Sequence, residues 1–170
     1  MIIRKLTAED IRSFRELRAE MCDRHPEAFG QTPEEVRDMP EEKLLDWFAP
    51  HDSFPEKFMA AGFDGDAMIG TVGFRREDSV KERHRGFIWS VYVRPEYRGQ
   101  GLSKRLMQWV IEECGTCDGL EMLVLTVATT QTSARALYQS LGFLKIGTIP
   151  KGYRLPDGRY IDNEEMMFWL

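Results

Sequence analysis

Three cysteines, Cys22, Cys114 and Cys117, are all that the 170-residue chain carries. They are too few, and odd in number, for a disulfide framework. No apolar run approaches the roughly 20 residues that a bilayer span requires. The start, Met1-Ile2-Ile3-Arg4-Lys5-Leu6, lacks the order and length of a signal peptide, so a cytoplasmic location is expected. An excess of positive charge is missing too. The net charge of −5 argues against nucleic acid as the main partner, because gripping a phosphate backbone takes a basic surface. Electrostatics alone would favour cationic partners such as amines. No second Cys or His pair stands at metal-ligand spacing, so no metal site is expected. Internal repeats, low-complexity tracts and linkers are absent as well.

One C-x-x-C does occur, Cys114-Gly115-Thr116-Cys117. A redox pair sits at a helix N-terminus, where the dipole lowers the thiol pKa. This one follows Trp109-Val110-Ile111-Glu112-Glu113 at a helix C-terminus, where dipole and glutamates oppose a thiolate. It reads as a turn that holds two cysteines. The rest, 42% hydrophobic and 30% charged, is the balance of an ordinary globule, and the length fits a single domain over residues 1–170.

Along the chain, Thr7-Ala8-Glu9-Asp10 is a capping box that opens a first helix. Ile11, Phe14, Leu17 and Met21 give it one apolar face, and Pro26 breaks it. Thr32-Pro33-Glu34-Glu35 starts a second helix, and Pro40 begins a turn or two carrying Leu44, Leu45, Trp47 and Phe48. After Pro55 strands take over. Phe58 to Phe63 and Ala67 to Phe74 flank Asp64-Gly65-Asp66, a hairpin signal. In the third strand, Phe87 to Val93, strict alternation puts Phe87, Trp89, Val91 and Val93 on one face and Ile88, Ser90 and Tyr92 on the other. A helix follows from Leu102 to Gly115, then an apolar central strand from Leu120 to Val127. Thr132 or Ser133 caps the next helix and Gly142 ends it. Strands Leu144 to Ile149 and Met166 to Leu170 close the chain, with Ile2 to Lys5 as an edge strand.

The most informative stretch is Val93-Arg94-Pro95-Glu96-Tyr97-Arg98-Gly99-Gln100-Gly101-Leu102-Ser103-Lys104. A strand runs in and a helix runs out. Between them two glycines bare backbone amides at the helix start, where the dipole adds positive character. Arg98 and Lys104 add full charges, so a phosphate-bearing ligand is expected. It is not a P-loop, since G-x-x-x-x-G-K-[ST] is absent. A dinucleotide fingerprint needs a third glycine where Lys104 stands and an acidic residue at the next strand's end, whereas Glu121 stands at that strand's start.

The stretch resembles the acyl-CoA loop of the GNAT superfamily of N-acetyltransferases, whose signature [Q/R]-x-x-G-x-[G/A] is met by Arg98, Gly101 and Ser103, with serine in the last place as a departure. Ala134-Arg135-Ala136-Leu137-Tyr138-Gln139-Ser140-Leu141-Gly142-Phe143 is similar to the family's second signature, a helix ending in Tyr-x-x-x-Gly-Phe. The resemblance implies an α/β (α+β) GNAT fold: a mixed, mostly antiparallel sheet of six to seven strands flanked by about four helices. It also implies an acetyl-CoA-dependent N-acetyltransferase that moves acetyl directly to a primary amine, on a small molecule or a peptide N-terminus, in a ternary complex. Homodimers are common in the family, and the last strand is a candidate for that contact.

By the same resemblance Arg98, Gly99, Gln100, Gly101, Leu102, Ser103 and Lys104 grip the pyrophosphate of acetyl-CoA. The strand end Val91, Tyr92 and Val93 offers its backbone to the pantetheine arm, and Gln131 stands where many relatives carry a cofactor-contacting asparagine. Tyr138 is the expected general acid, since a phenol of pKa about 10 can give a hydrogen bond or a proton to a leaving thiolate. Many relatives place a glutamate base on the strand before the loop, but Ile88-Trp89-Ser90-Val91 has no carboxylate. Glu20, Asp23, His25, Glu27, Asp162, Glu164, Glu165 or water remain as bases. Phe29 and Trp89, with Trp47 and Tyr153, are candidate walls of an acceptor pocket or else core. The missing carboxylate and Gln131 leave a second possibility open, an acyl-CoA-binding module with little catalysis.

Overall fold

The computed structural model describes residues 1–48 and 56–170. Pro55, the expected boundary between helices and strands, lies outside them. Strand β1 (Ile2–Lys5) leads through a short 3-10 turn, Ala8–Asp10, into α1 (Ile11–Arg24), followed by α2 (Pro33–Arg37) and α3 (Glu41–Leu45). Then come β2 (Lys57–Asp64), β3 (Ala67–Arg76), β4 (Arg85–Val93), α4 (Leu102–Gly115), β5 (Met122–Ala128), α5 (Thr132–Ser140), β6 (Leu144–Arg154) and β7 (Tyr160–Trp169). The strands form one seven-stranded sheet in the order β1-β2-β3-β4-β5-β7-β6. Every neighbouring pair is antiparallel except β4 and β5.

The first helices pack on one face of the sheet. Phe14, Leu17 and Met21 of α1 are fully buried there with Val36 and Leu44. Asp10 closes the capping box by accepting the Thr7 amide at 2.8 Å, and the Arg4 fork holds the same carboxylate at 2.7 Å on both oxygens. Helices α4 and α5 cover the opposite face through Leu102, Leu106, Val110 and Tyr138, joined by Phe143 from the turn between α5 and β6. All three cysteines are buried, with Cys114 and Cys117 packed in this second layer.

The parallel β4–β5 ladder is short. It runs from Arg85↔Met122 to Ile88↔Leu125 and stops, although both strands continue. Beyond it β4 bulges: Thr71 of β3 faces Tyr92 while Gly73 faces Trp89, so two residues, Ser90 and Val91, stand against one. Ser90 takes φ +58, a left-handed backbone rare outside glycine. The bulge corrects the expected two-face assignment. Trp89 and Tyr92 pack with α1, whereas Ile88, Val91 and Val93 pack with α4 and α5. An inserted residue resets the period-2 alternation, which residue types alone do not reveal.

Two other expectations change. Neither Thr132 nor Ser133 caps α5, because Gln131 holds the N-cap position. The closing strands are longer than expected and pair from Leu144↔Met167 to Arg154↔Tyr160, interrupted by shifts in register. Strand β7 lies between β5 and β6, so its backbone is paired on both sides. Sheet edges belong to β1 and β6, not to the last strand. No helix among the described residues is long and apolar enough to cross a membrane.

Candidate active site

Where β4 and β5 part, a cleft of about 630 Å³ runs through the sheet. Its walls come from both layers: Leu102, Lys104 and Tyr138 from one, Arg18, His25 and Phe29 from the other. At one end lies the glycine turn. Gly99 and Gly101 have φ +74 and +76, and beyond the adjacent residues nothing lies within 4 Å of where a Cβ would stand on either. The glycines are there for backbone conformation, and the space over them is free for a ligand. Gly101 is the N-cap of the 14-residue α4 and no side chain caps it. The first-turn amides of α4, from Leu102 to Lys104, have no partner within the helix and add to the dipole's positive end.

Of the expected cofactor contacts, Val91, Tyr92, Val93, Arg98, Gly99, Gly101, Leu102, Ser103, Lys104 and Gln131 all line the cleft. Gln100 does not; its amide turns to the Glu96 carbonyl at 3.5 Å. Arg98 also points differently from a free phosphate clamp. Its Nε donates to the Val93 carbonyl and its Nη2 meets His25 Nε2, each at 2.9 Å. With a guanidinium at Nε2, that nitrogen accepts, so the imidazole proton belongs on Nδ1, which faces Glu27 Oε1 at 3.5 Å. The same Glu27 oxygen takes the Gln131 side-chain amide. A chain Arg98–His25–Glu27–Gln131 thus ties the turn before α4 to the turn before α5.

Tyr138 is buried and lines the cleft, its ring 6.0 Å from that of Phe143. Burial alone pushes its phenol above the ordinary value of about 10. Such a group keeps its proton, so it suits hydrogen-bond donation to a thiolate better than outright proton release. No hydrogen bond to its hydroxyl is formed among the described residues.

The candidate bases separate clearly. Glu20 is taken by the Tyr92 hydroxyl at 2.9 Å and by Arg94 and Arg24 at 3.1 and 3.3 Å. Glu164 is buried and held by Lys145 and by the Arg135 fork, and these partners, Lys145 first, keep its carboxyl below the usual range. Asp162 accepts the Lys151 amide at 2.8 Å. Asp23, Glu27 and Glu165 are not part of the cleft wall, and among the described residues no carboxylate is. His25 is in the wall.

Phe29, Trp89 and Tyr153 line the cleft, while Trp47 stands behind Trp89 with rings 5.1 Å apart. Trp89 fits only because Gly73 has no side chain; a Cβ there would come within 2.6 Å of its indole. Arg18 escaped the sequence reading. It sits one turn after Phe14 and directly after Leu17, a charge inside the apolar stripe of α1. That interruption was the available signal.

Residues 14–143 match the sequence profile described as the Acetyltransferase (GNAT) family. Human N-acetyltransferase 8B is 36% identical over 83 residues, covering 48% of this chain and 36% of that protein. The L-amino acid N-acyltransferase MnaT of Escherichia coli (strain K12) is 34% identical over 82 residues, covering 48% of this chain and 46% of its own. The matched region thus spans less than half of either relative. Among solved structures, yncA from Salmonella typhimurium, determined with its cofactor acetyl-CoA, superposes with a TM-score of 0.84 at 22% identity over 100% of this chain and 94% of that one. The fold expected from the two motifs is borne out.

Proposed function

Because the chain belongs to the acetyltransferase (GNAT) family, we propose that it is an acetyl-CoA-dependent N-acetyltransferase, a single domain over residues 1–170 that moves acetyl directly to a primary amine in a ternary complex in the cytoplasm. One observation carries the reading: the gap between the parted strands joins an uncapped amide turn to an unpartnered buried phenol. The amides from Gly99 to Lys104 and the Lys104 charge suit the pyrophosphate of acetyl-CoA. The backbone of Val91 to Val93 suits the pantetheine arm. The amine enters from the α1 side, its nitrogen bonds to the thioester carbon, and the C–S bond breaks. Tyr138 donates a hydrogen bond to the departing thiolate.

The amine must lose a proton. His25 Nε2 already accepts from Arg98, so the imidazole becomes a base only when that guanidinium turns aside. Water in the cleft takes the proton otherwise. The lack of a carboxylate in the cleft wall among the described residues favours a second reading, an acyl-CoA-binding module with little catalysis.

The test is acetyl-CoA consumption against a broad amine panel, with products read by mass spectrometry and Tyr138→Phe as control. Loss of the hydroxyl should lower kcat by at least about tenfold while leaving acetyl-CoA affinity unchanged. Equal turnover in the variant removes Tyr138 from the mechanism. Tight acetyl-CoA binding with no acceptor-dependent turnover selects the binding module.

A further inference from the structure

We propose that Arg18 anchors a carboxylate carried by the acceptor beside its amine, so that the protein selects amino acids over simple amines and polyamines. The inference rests on the acetyl-transfer reading above and names its substrate class.

Arg18 is only 6% exposed, yet it forms part of the cleft wall. Every polar partner it has among the described residues is neutral. Nη1 donates to Ser90 Oγ at 2.9 Å and leans on Met21 Sδ at 3.9 Å. Nε and Nη2 both go to Gln31 Oε1, at 3.2 and 2.9 Å. The rings of Phe29, Trp47 and Trp89 surround the guanidinium at 5.4 to 5.7 Å. Among the described residues no Asp or Glu pairs with it, and the nearest elements use their carboxylates elsewhere. Glu20 serves Tyr92, Arg94 and Arg24, Glu27 serves Gln131 and His25, and Glu35 caps Thr32.

A buried charge without an opposite charge is costly, and burial here lowers the guanidinium's pKa. Aromatic faces recover part of that cost but leave the charge in place. A planar carboxylate that enters the cleft meets a guanidinium fork already stripped of water and held by its neighbours. The pyrophosphate is not that anion. Its amide turn precedes α4, which packs on the opposite face of the sheet from α1. Ser90, on which Arg18 leans, is the immediate neighbour of Val91, beside which the acyl group would lie. A substrate that reaches both has only a few atoms between carboxylate and amine. A polyamine would set a cation against a buried cation. The local field therefore reverses the preference that the net charge of −5 suggests.

The experiment compares kcat/KM, with acetyl-CoA as donor, for the common L-α-amino acids, for the primary amine left when each loses its carboxylate, and for spermidine. Calorimetry of the amino acids runs alongside, on wild type, Arg18→Lys and Arg18→Met. At least one amino acid should exceed its decarboxylated counterpart by roughly a hundredfold. Arg18→Lys should cut that ratio about tenfold, because it keeps the charge and loses the fork. The wild-type ratio stands even if Arg18→Met does not fold. Equal or better turnover of the amines or spermidine leaves acetyl transfer intact and overturns the role of Arg18. Amino acids that bind in an Arg18-dependent way without turnover keep the anchor and remove the transfer reading. If no amino acid either binds or turns over, the proposal is overturned.

Discussion

A residue matters most here where its backbone, not its side chain, is specified. Gly101 combines φ +76 with open space around its missing Cβ. A Cβ at that position has no atom within 4 Å beyond the adjacent residues, so the main cost of valine to the folded state is a β-branched residue in the left-handed region, about 1–3 kcal/mol. The ligand suffers more, since the side chain would fill the space above the amide turn. Gly101→Val is expected to weaken acetyl-CoA binding at least about tenfold, or about 1.4 kcal/mol, while a cooperative melt persists. Unchanged affinity by calorimetry would place the pyrophosphate elsewhere. Ser90 is the opposite case, a non-glycine held at φ +58 by Thr71, whose Oγ1 donates to its carbonyl at 3.0 Å, and by Arg18 on its hydroxyl. Strain kept in place by two buried hydrogen bonds from separate elements marks a position where the surrounding fold dictates the backbone.

Among the elements, the stretch from β4 through α5 was legible because its signals are local. Two glycines between an apolar strand and an amphipathic helix, and Gly142 after Tyr138, fix chain direction within a few residues, and the observed φ values of +74, +76 and +98 agree. Alternation failed at Ser90 because a bulge is created by the partner strand as much as by the bulged one. Strands β6 and β7 were underestimated because Lys151, Tyr153 and Arg154 carry no apolar alternation on an exposed strand. Arg18 was missed because a charge in an apolar stripe has no partner that sequence can name. The β6–β7–α5 corner is instead held by a buried carboxylate. Glu164 accepts from Arg135 at 2.7 and 3.0 Å and from Lys145 at 2.9 Å. Glu164→Gln keeps the shape but loses the charge, and should destabilise the fold by about 1.5–3 kcal/mol in urea titration at neutral pH. Since the folded pKa is depressed, this stabilisation is present above the unfolded value of about 4.3 and disappears as pH falls through the folded one. The gap between wild type and variant should therefore close in acid; a constant gap would show that the charge is not its source.

At the scale of the whole molecule, the sheet buries all three thiols, and this sets how the fold responds to alkali. Burial is the leading cause that raises the pKa of Cys22, Cys114 and Cys117. In the unfolded chain each thiol ionises near its ordinary value of about 8.5. In the folded chain burial keeps the proton on beyond that value. Above about pH 8.5 the folded state therefore holds more protons than the unfolded one, and stability falls with rising pH. Each fully protected thiol subtracts up to about 1.4 kcal/mol per pH unit over that window. Below it the stabilisation is complete. Buried Tyr138 and Tyr92 join only above about pH 10, the ordinary phenol value. Asp10 and Glu164 cannot offset the loss, because both are held low and are already ionised throughout the alkaline range. Urea titrations in reductant at steps from pH 7 to pH 10 should show a level stability and then a decline that begins before tyrosine ionisation. Cys114→Ala lowers stability at pH 7 by removing core volume, and it also removes one titrating group, so its alkaline decline should be shallower than that of wild type. Parallel declines in the two proteins would mean that the thiol of Cys114 is not protected by the core.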